Sequence, residues 1–157
     1  MAKVTRATAF LGKAGVAFTV HVYAYDPDAD RIGLQAAEAL GEPPARVLKT
    51  LMVLLDGKPA CAILPSDAQL SMKKFAAALG GKSAEMMKPA DAERVTGFTV
   101  GGISPFGQMR KVPTAIEATA FDQPKVFING GQRGLQVQLD PRQAAHVLQA
   151  QAAPIIA

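Results

Sequence analysis

The sequence predicts a single α/β domain, residues 1–157, built on a mixed, largely antiparallel sheet with flanking helices. Three observations carry this. A chain of 157 residues fits one domain and is long enough to bury roughly two-thirds of its unfolded surface. Its residues are 49% hydrophobic and 19% charged, with no low-complexity run, repeat or linker, which suits one core. Short strand-like segments dominate, and helices fall between them singly rather than after every strand.

The elements follow in order. Residues 3–14 fit a short amphipathic helix. "FTVHVYAY" (18–25) sets Phe18, Val20, Val22 and Ala24 against Thr19, His21, Tyr23 and Tyr25, the alternation of a half-buried strand. "DPDAD" ends it. "IGLQAAEAL" reads as a helix stopped by Gly41, and "PPARVL" as a turn with proline at its head. "TLMVLLDGKPACAILPS" is two apolar runs around Asp56-Gly57, a strong hairpin signal. "LSMKKFAAALG" and "PADAERVTG" are helical, the second opening with proline and early acids. After the glycine-rich "TGFTVGGISPFGQ" (96–108), "TAIEAT", "KVFING" and "LQVQLD" are strand-like. "PRQAAHVLQA" is a helix with Pro141 at its first position.

Composition narrows the setting. One cysteine, Cys61, excludes an internal disulfide and fits a reducing compartment. No charged-then-apolar leader opens the chain and no apolar run approaches the ~18 residues of a membrane span, so a cytoplasmic protein with no membrane partner is expected. Net charge is +4, with acids Asp26, Asp28, Asp30, Glu38 and Glu42 early in the chain. Between residues 70 and 133, nine bases (Lys73, Lys74, Lys82, Lys88, Arg94, Arg110, Lys111, Lys125, Arg133) face five acids (Glu85, Asp91, Glu93, Glu117, Asp122). That bias suits a polyanion and equally an ordinary solvated surface.

The usual catalytic kits are missing. Cys61 sits inside "PACAIL", where a thiol is normally a buried hydrophobe. His21 and His146 are far apart and lack partners at metal-ligand spacing, so no metal site or cofactor is expected. There is no nucleophile elbow, P-loop or dinucleotide fingerprint. An enzyme built from this chain must work by positioning and backbone donors, which a glycine-rich loop supplies; the same glycines also suit a plain tight connection. Lys49 stands at the head of a long apolar run, placed either to snorkel or to offer a point charge at a cleft.

The ordered set "HVYAYDP" (21–27), "VLKTLMV" (47–53), "TGFTVGGISPFGQ" (96–108) and "VFINGGQRGLQVQL" (126–139) resembles the YbaK/EbsC family, whose free-standing members deacylate mischarged tRNA. The match spans almost the whole chain, and the subgroup it most resembles acts on Cys-tRNA(Pro). The family is related to the editing domain inserted in bacterial prolyl-tRNA synthetases. The resemblance implies a mixed sheet curled into a barrel-like core with helices around it.

It also implies site residues. Lys49 and the Gly101 backbone would act in catalysis by orienting the ester and the 3′-terminal adenosine, while Tyr23, Gly102, Ser104, Asn129 and Gln136 would bind substrate. In the cysteine-specific subgroup the substrate's own thiol attacks its ester and departs as a cyclic thiolactone, which accounts for the missing nucleophile. Two positions depart from the pattern: Asn129 stands where relatives tend to have serine, and Gln136 where some have an acid. The implied partner is the 3′ aminoacyl end of tRNA, with prolyl-tRNA synthetase as a further one and DNA as none. Two alternatives stand beside this: hydrolysis of Ala-tRNA(Pro) or another small aminoacyl ester by an ordered water, and a non-catalytic module that only holds tRNA or a synthetase.

Overall fold

The computed structural model describes residues 4–28 and 34–157. Lys3, Asp30 and the first two residues of "IGLQAAEAL", to which expectations above extend, lie outside that set.

Helix α1 (Arg6–Lys13) starts at Thr5, whose side chain accepts the Thr8 N–H in a capping box. Strand β1 is Thr19–Val22. Helix α2 (Gln35–Leu40) ends at Gly41, whose φ of 67° is the left-handed cap anticipated there, and a 3-10 turn covers Pro44–Arg46. Strands β2 (Leu48–Leu55) and β3 (Lys58–Pro65) form the hairpin, with Asp56 and Gly57 at φ 50° and 80°. Two consecutive positive φ values make the tight turn whose twist matches the strands. Helix α3 (Met72–Ala78), strand β4 (Ala84–Met86) and helix α4 (Pro89–Thr96) follow. Then come β5 (Thr114–Glu117), a 3-10 turn (Ala118–Asp122), β6 (Val126–Gln132), β7 (Leu135–Leu139), α5 (Pro141–Leu148) and β8 (Gln151–Ala153). The three-residue β4 and β8 carry no readable alternation and escape a sequence reading.

The sheet is mixed and mostly antiparallel, but it is two sheets, and no closed barrel is present among the described residues. One has the order β1-β7-β6 and the other β4-β2-β3-β5-β8. All pairings are antiparallel except β3–β5 and β5–β8. The sheets meet at one parallel bridge, Val47–Phe127. On the side of β2 that faces away from β3, β6 forms a bridge only at Val47, and β4 pairs with Val53–Leu55, extended by the Met87 N–H, which donates to the Met52 carbonyl at 3.1 Å. Between Val47 and Met52 that edge has no ladder partner among the described residues, and there a cavity takes the place of a closing ladder. None of the helices is long and apolar enough to cross a membrane among the described residues.

Strand β1 departs from its expected facing. Val22 is 68% exposed and Ala24 is exposed, whereas His21, Tyr23 and Tyr25 are half-buried. The large rings find apolar neighbours: His21 meets Phe127 edge-on at 5.1 Å, and Tyr23 and Tyr25 line the cavity. Aromatic area outweighs the small gain from burying Val22 and Ala24.

The last strand is tied down by one carboxylate. Glu117, 2% exposed, accepts the Ile155 N–H at 2.9 Å with Oε1 and the Thr119 N–H at 2.9 Å with Oε2. Burial pushes its pKa up, but these backbone donors outweigh burial and hold it below the ordinary glutamate value. A depressed carboxylate stabilises fully above its unfolded value, and the gain is lost as pH falls through the folded value. Glu117→Gln is therefore expected to cost about 1–3 kcal/mol at neutral pH by urea unfolding, because an amide offers one acceptor where two donors converge. The difference from wild type should shrink in acid; a difference that does not change with pH would refute the assignment.

Candidate functional site

The cavity between the sheets has a volume of about 320 Å³. Strand β2 contributes Lys49 and Thr50, the chain after β1 Tyr23 and Tyr25, the glycine loop Gly101, β6 Asn129 and β7 Gln136. Apart from Ser66, its remaining wall is apolar, with Leu48, Met52, Met87, Ala92 and Ile103 among its residues. An apolar pocket with a few convergent polar groups is the ordinary form of a small-ligand site.

Lys49 is half-buried, and among the described residues its ammonium has no hydrogen bond or ion pair. Burial lowers its pKa from the ordinary lysine value, and Asp67 pulls weakly the other way. Tyr23 is shifted up, chiefly by burial, against a hydrogen bond with Gln136 and with a further push from Tyr25. Two buried oxygens, Gln136 Oε1 and Thr50 Oγ1, have no partner among the described residues. Gln136 is only 4% exposed. Orphaned buried acceptors are uncommon and mark a place where a ligand or water completes the bonding.

The glycine loop is fastened from three sides. Asn129 Nδ2 donates to the carbonyls of Gly101 (3.3 Å) and Gln132 (3.2 Å), and its Oδ1 accepts the Gly131 N–H at 2.6 Å. It therefore binds the loop to the bulge of β6 between Asn129 and Gln132. Glu93 accepts the Val100 N–H at 2.8 Å, and Arg133 Nε donates to the Val100 carbonyl at 2.9 Å. Gly101 has φ +91°, and a Cβ there would lie 2.7 Å from the Tyr25 hydroxyl.

Of the residues singled out in the sequence, Lys49, Tyr23, Gly101, Asn129 and Gln136 share this cavity. Gly102 and Ser104 are not among its lining. A Cβ on Gly102 would sit 2.7 Å from the Arg133 backbone nitrogen, so this glycine serves close approach to its own chain. Ser104 is fully buried, with Oγ accepting the Phe106 N–H at 3.1 Å and its carbonyl accepting from Gln108. Residues the sequence reading passed over are Tyr25, Thr50, Met87 and Arg133. Only Tyr25 left a signal, standing two residues past Tyr23 and so on the same face of an extended chain.

Cys61 is 1% exposed and burial pushes its thiol up to about 12, the profile of an inert core residue. His21 shares a 2.8 Å hydrogen bond with the Thr19 hydroxyl, and His146 is exposed on α5. None of the three lines the cavity. Among the described residues no group of three or more His, Cys, Asp or Glu is gathered as a metal site.

Comparison with known proteins agrees with this architecture. Residues 26–146 match the model of the aminoacyl-tRNA editing domain. A protein of Enterococcus faecalis, provisionally named Cys-tRNA(Pro)/Cys-tRNA(Cys) deacylase EbsC, is 36% identical over 106 residues, 67% of this chain and 65% of that one. A proline–tRNA ligase of Acidithiobacillus ferrooxidans is 34% identical over 87 residues, 55% of this chain and 15% of the ligase. The matched stretch thus spans just under two thirds of the first relative and a small part of the second. A solved structure described provisionally as a trans-editing enzyme for prolyl-tRNA synthetase superposes with a TM-score of 0.82 at 22% identity, covering 97% of this chain and 95% of that one. The protein APE2540 gives 0.83 at 19% identity, covering 98% and 100%. At such identities the two structures establish the fold alone. The family model, spanning most of the chain and all of the cavity's polar residues from Lys49 to Gln136, decides membership: this chain belongs to the aminoacyl-tRNA editing domain family, in keeping with its resemblance to YbaK and EbsC.

Proposed function

We propose that residues 1–157 form one trans-editing domain, a cytoplasmic deacylase that removes cysteine from mischarged Cys-tRNA(Pro). The observation that carries this is a cavity holding an unpaired ammonium, Lys49, beside the Gly101 backbone, with no cysteine or histidine in its lining. Such a site binds and polarises an ester without a cysteine or histidine nucleophile, which favours a substrate that carries its own. Cysteine does. Its thiol loses a proton to solvent water and the sulfur attacks the ester carbonyl carbon. The bond to the terminal ribose oxygen then breaks, that oxygen takes up a proton from solvent water, and the amino acid leaves as a cyclic thiolactone. Lys49 and the Gly101 N–H stabilise the charge that builds on the carbonyl oxygen, Tyr23 and Gln136 shape the pocket, and Asn129 holds the loop. Prolyl-tRNA synthetase, whose relatives share the domain, is the proposed partner that supplies mischarged tRNA.

A second reading, hydrolysis of Ala-tRNA(Pro) or a similar small ester, is favoured by one observation: the unpartnered Gln136 Oε1 and Thr50 Oγ1 could anchor a water. Turnover of Cys-, Ser- and Ala-tRNA(Pro) by the isolated protein decides. Rapid loss of cysteine with Ser and Ala slower by at least about 100-fold is expected, since a hydroxyl ionises too weakly to replace the thiol and no protein base stands in reserve. Fast Ala-tRNA(Pro) cleavage would replace the thiolactone route with the water route, and no turnover of any ester would leave a binding module. In the same assay Cys61→Ala should keep near-normal activity.

A further inference from the structure

The polar groups around Gly101 are nearly all committed. The Val100 N–H goes to Glu93, the Val100 carbonyl to Arg133, the Gly101 carbonyl to Asn129, and the Gly102 N–H to the Thr99 carbonyl at 2.8 Å. Among the described residues the Gly101 N–H has no acceptor. In a trans peptide the carbonyl and the next N–H point in opposite directions, and no cis peptide is present among the described residues. Fixing the Val100 carbonyl on Arg133 therefore turns the Gly101 N–H away from Arg133. Gly101 lines the cavity and Arg133 does not. A glycine accepts either sign of φ, so the Val100–Gly101 peptide has little intrinsic preference between this orientation and the flipped one. The charge-assisted bond from Arg133 supplies the bias. Arg133 is itself held, its guanidinium 5.3 Å from the centre of the Tyr25 ring.

We infer that Arg133 is a positioning residue: by holding the Val100 carbonyl it keeps the Gly101 N–H aimed into the cavity as the donor to the ester oxygen. This rests on the deacylase reading of the cavity. The bond comes from Nε, four bonds from Cα, a position that glutamine Nε2 reproduces without charge and that lysine fills with carbon. The structure therefore inverts the usual expectation for an exposed arginine in an RNA-acting protein. Arg133→Ala and Arg133→Lys should lower kcat by about 10- to 100-fold with KM little changed, whereas Arg133→Gln should stay within a few-fold of wild type. If Arg133 instead holds a tRNA phosphate, Lys keeps function, Gln loses it, and the loss appears in KM. If all three variants lose activity together with thermal stability, the role is merely structural. Either result overturns the inference.

Crystal structures of Arg133→Ala and Arg133→Gln form a second arm that needs no activity. The peptide is expected to be flipped or split between two orientations in the first and as in wild type in the second; an unmoved peptide in Arg133→Ala overturns the inference. Wild-type protein inactive on every ester would overturn the deacylase reading, and the peptide arm would still decide whether Arg133 sets the loop.

Discussion

Lys49→Ala is expected to cut deacylation on the order of 10²–10³-fold while leaving the fold intact or slightly more stable. Its ammonium is half-buried and unpaired among the described residues, so it carries a desolvation cost that the charge of Asp67 offsets only in part. Removing it relieves that cost and removes the charge proposed to polarise the ester, the trade expected of a functional group. Lys49→Arg should not restore activity, because a planar fork cannot occupy the place of a compact point charge. Turnover on Cys-tRNA(Pro), with thermal unfolding in parallel, checks both halves; a folded Lys49→Ala protein with normal turnover would remove Lys49 from the mechanism.

The pH behaviour has a definite sign. Burial lowers the folded pKa of Lys49, so the unfolded chain keeps that proton to higher pH than the folded one. The unfavourable contribution to stability is complete below the folded value and fades as pH rises from there to the unfolded value. Activity runs the opposite way, falling on the alkaline side as the ammonium is lost, and earlier than an unshifted lysine would allow.

Gly101→Ala should lower kcat at least about tenfold and weaken local stability by about 1–3 kcal/mol. Its φ of +91° is unfavourable for a side chain, and the new methyl would lie 2.7 Å from the Tyr25 hydroxyl and 3.1 Å from Arg133 Nε. The damage therefore comes through the chain's own residues: Tyr25 and Arg133 must move, and the Val100 carbonyl loses its donor. From sequence alone the need for glycine here would be assigned to the approaching ligand. Wild-type kcat in Gly101→Ala would show the N–H to be dispensable.

The elements with strong local chemistry were legible in the chain. Asp56-Gly57 made its hairpin, Gly41 ended its helix, and Pro141 began the last one because those backbone preferences act within a few residues. Cys61 read as core because its neighbours are apolar. Gly102 and Ser104 read like Gly101 in sequence, yet close packing puts one against the Gln132–Arg133 backbone and buries the other on Phe106. Sequence has no term for which residues of one short loop meet a cavity.

What the sequence by itself determined is the family, the mixed sheet with flanking helices, and the burial of Cys61 in the core, since each depends on residue identity or local propensity. Tertiary structure alone decided that the sheet parts into two, that the gap beside β2 is the cavity, and that Arg133 reaches back to the Val100 carbonyl. These depend on pairings between residues more than thirty positions apart, Arg133 with Val100 and Val47 with Phe127, whose energies belong to the folded arrangement and to no local stretch of chain.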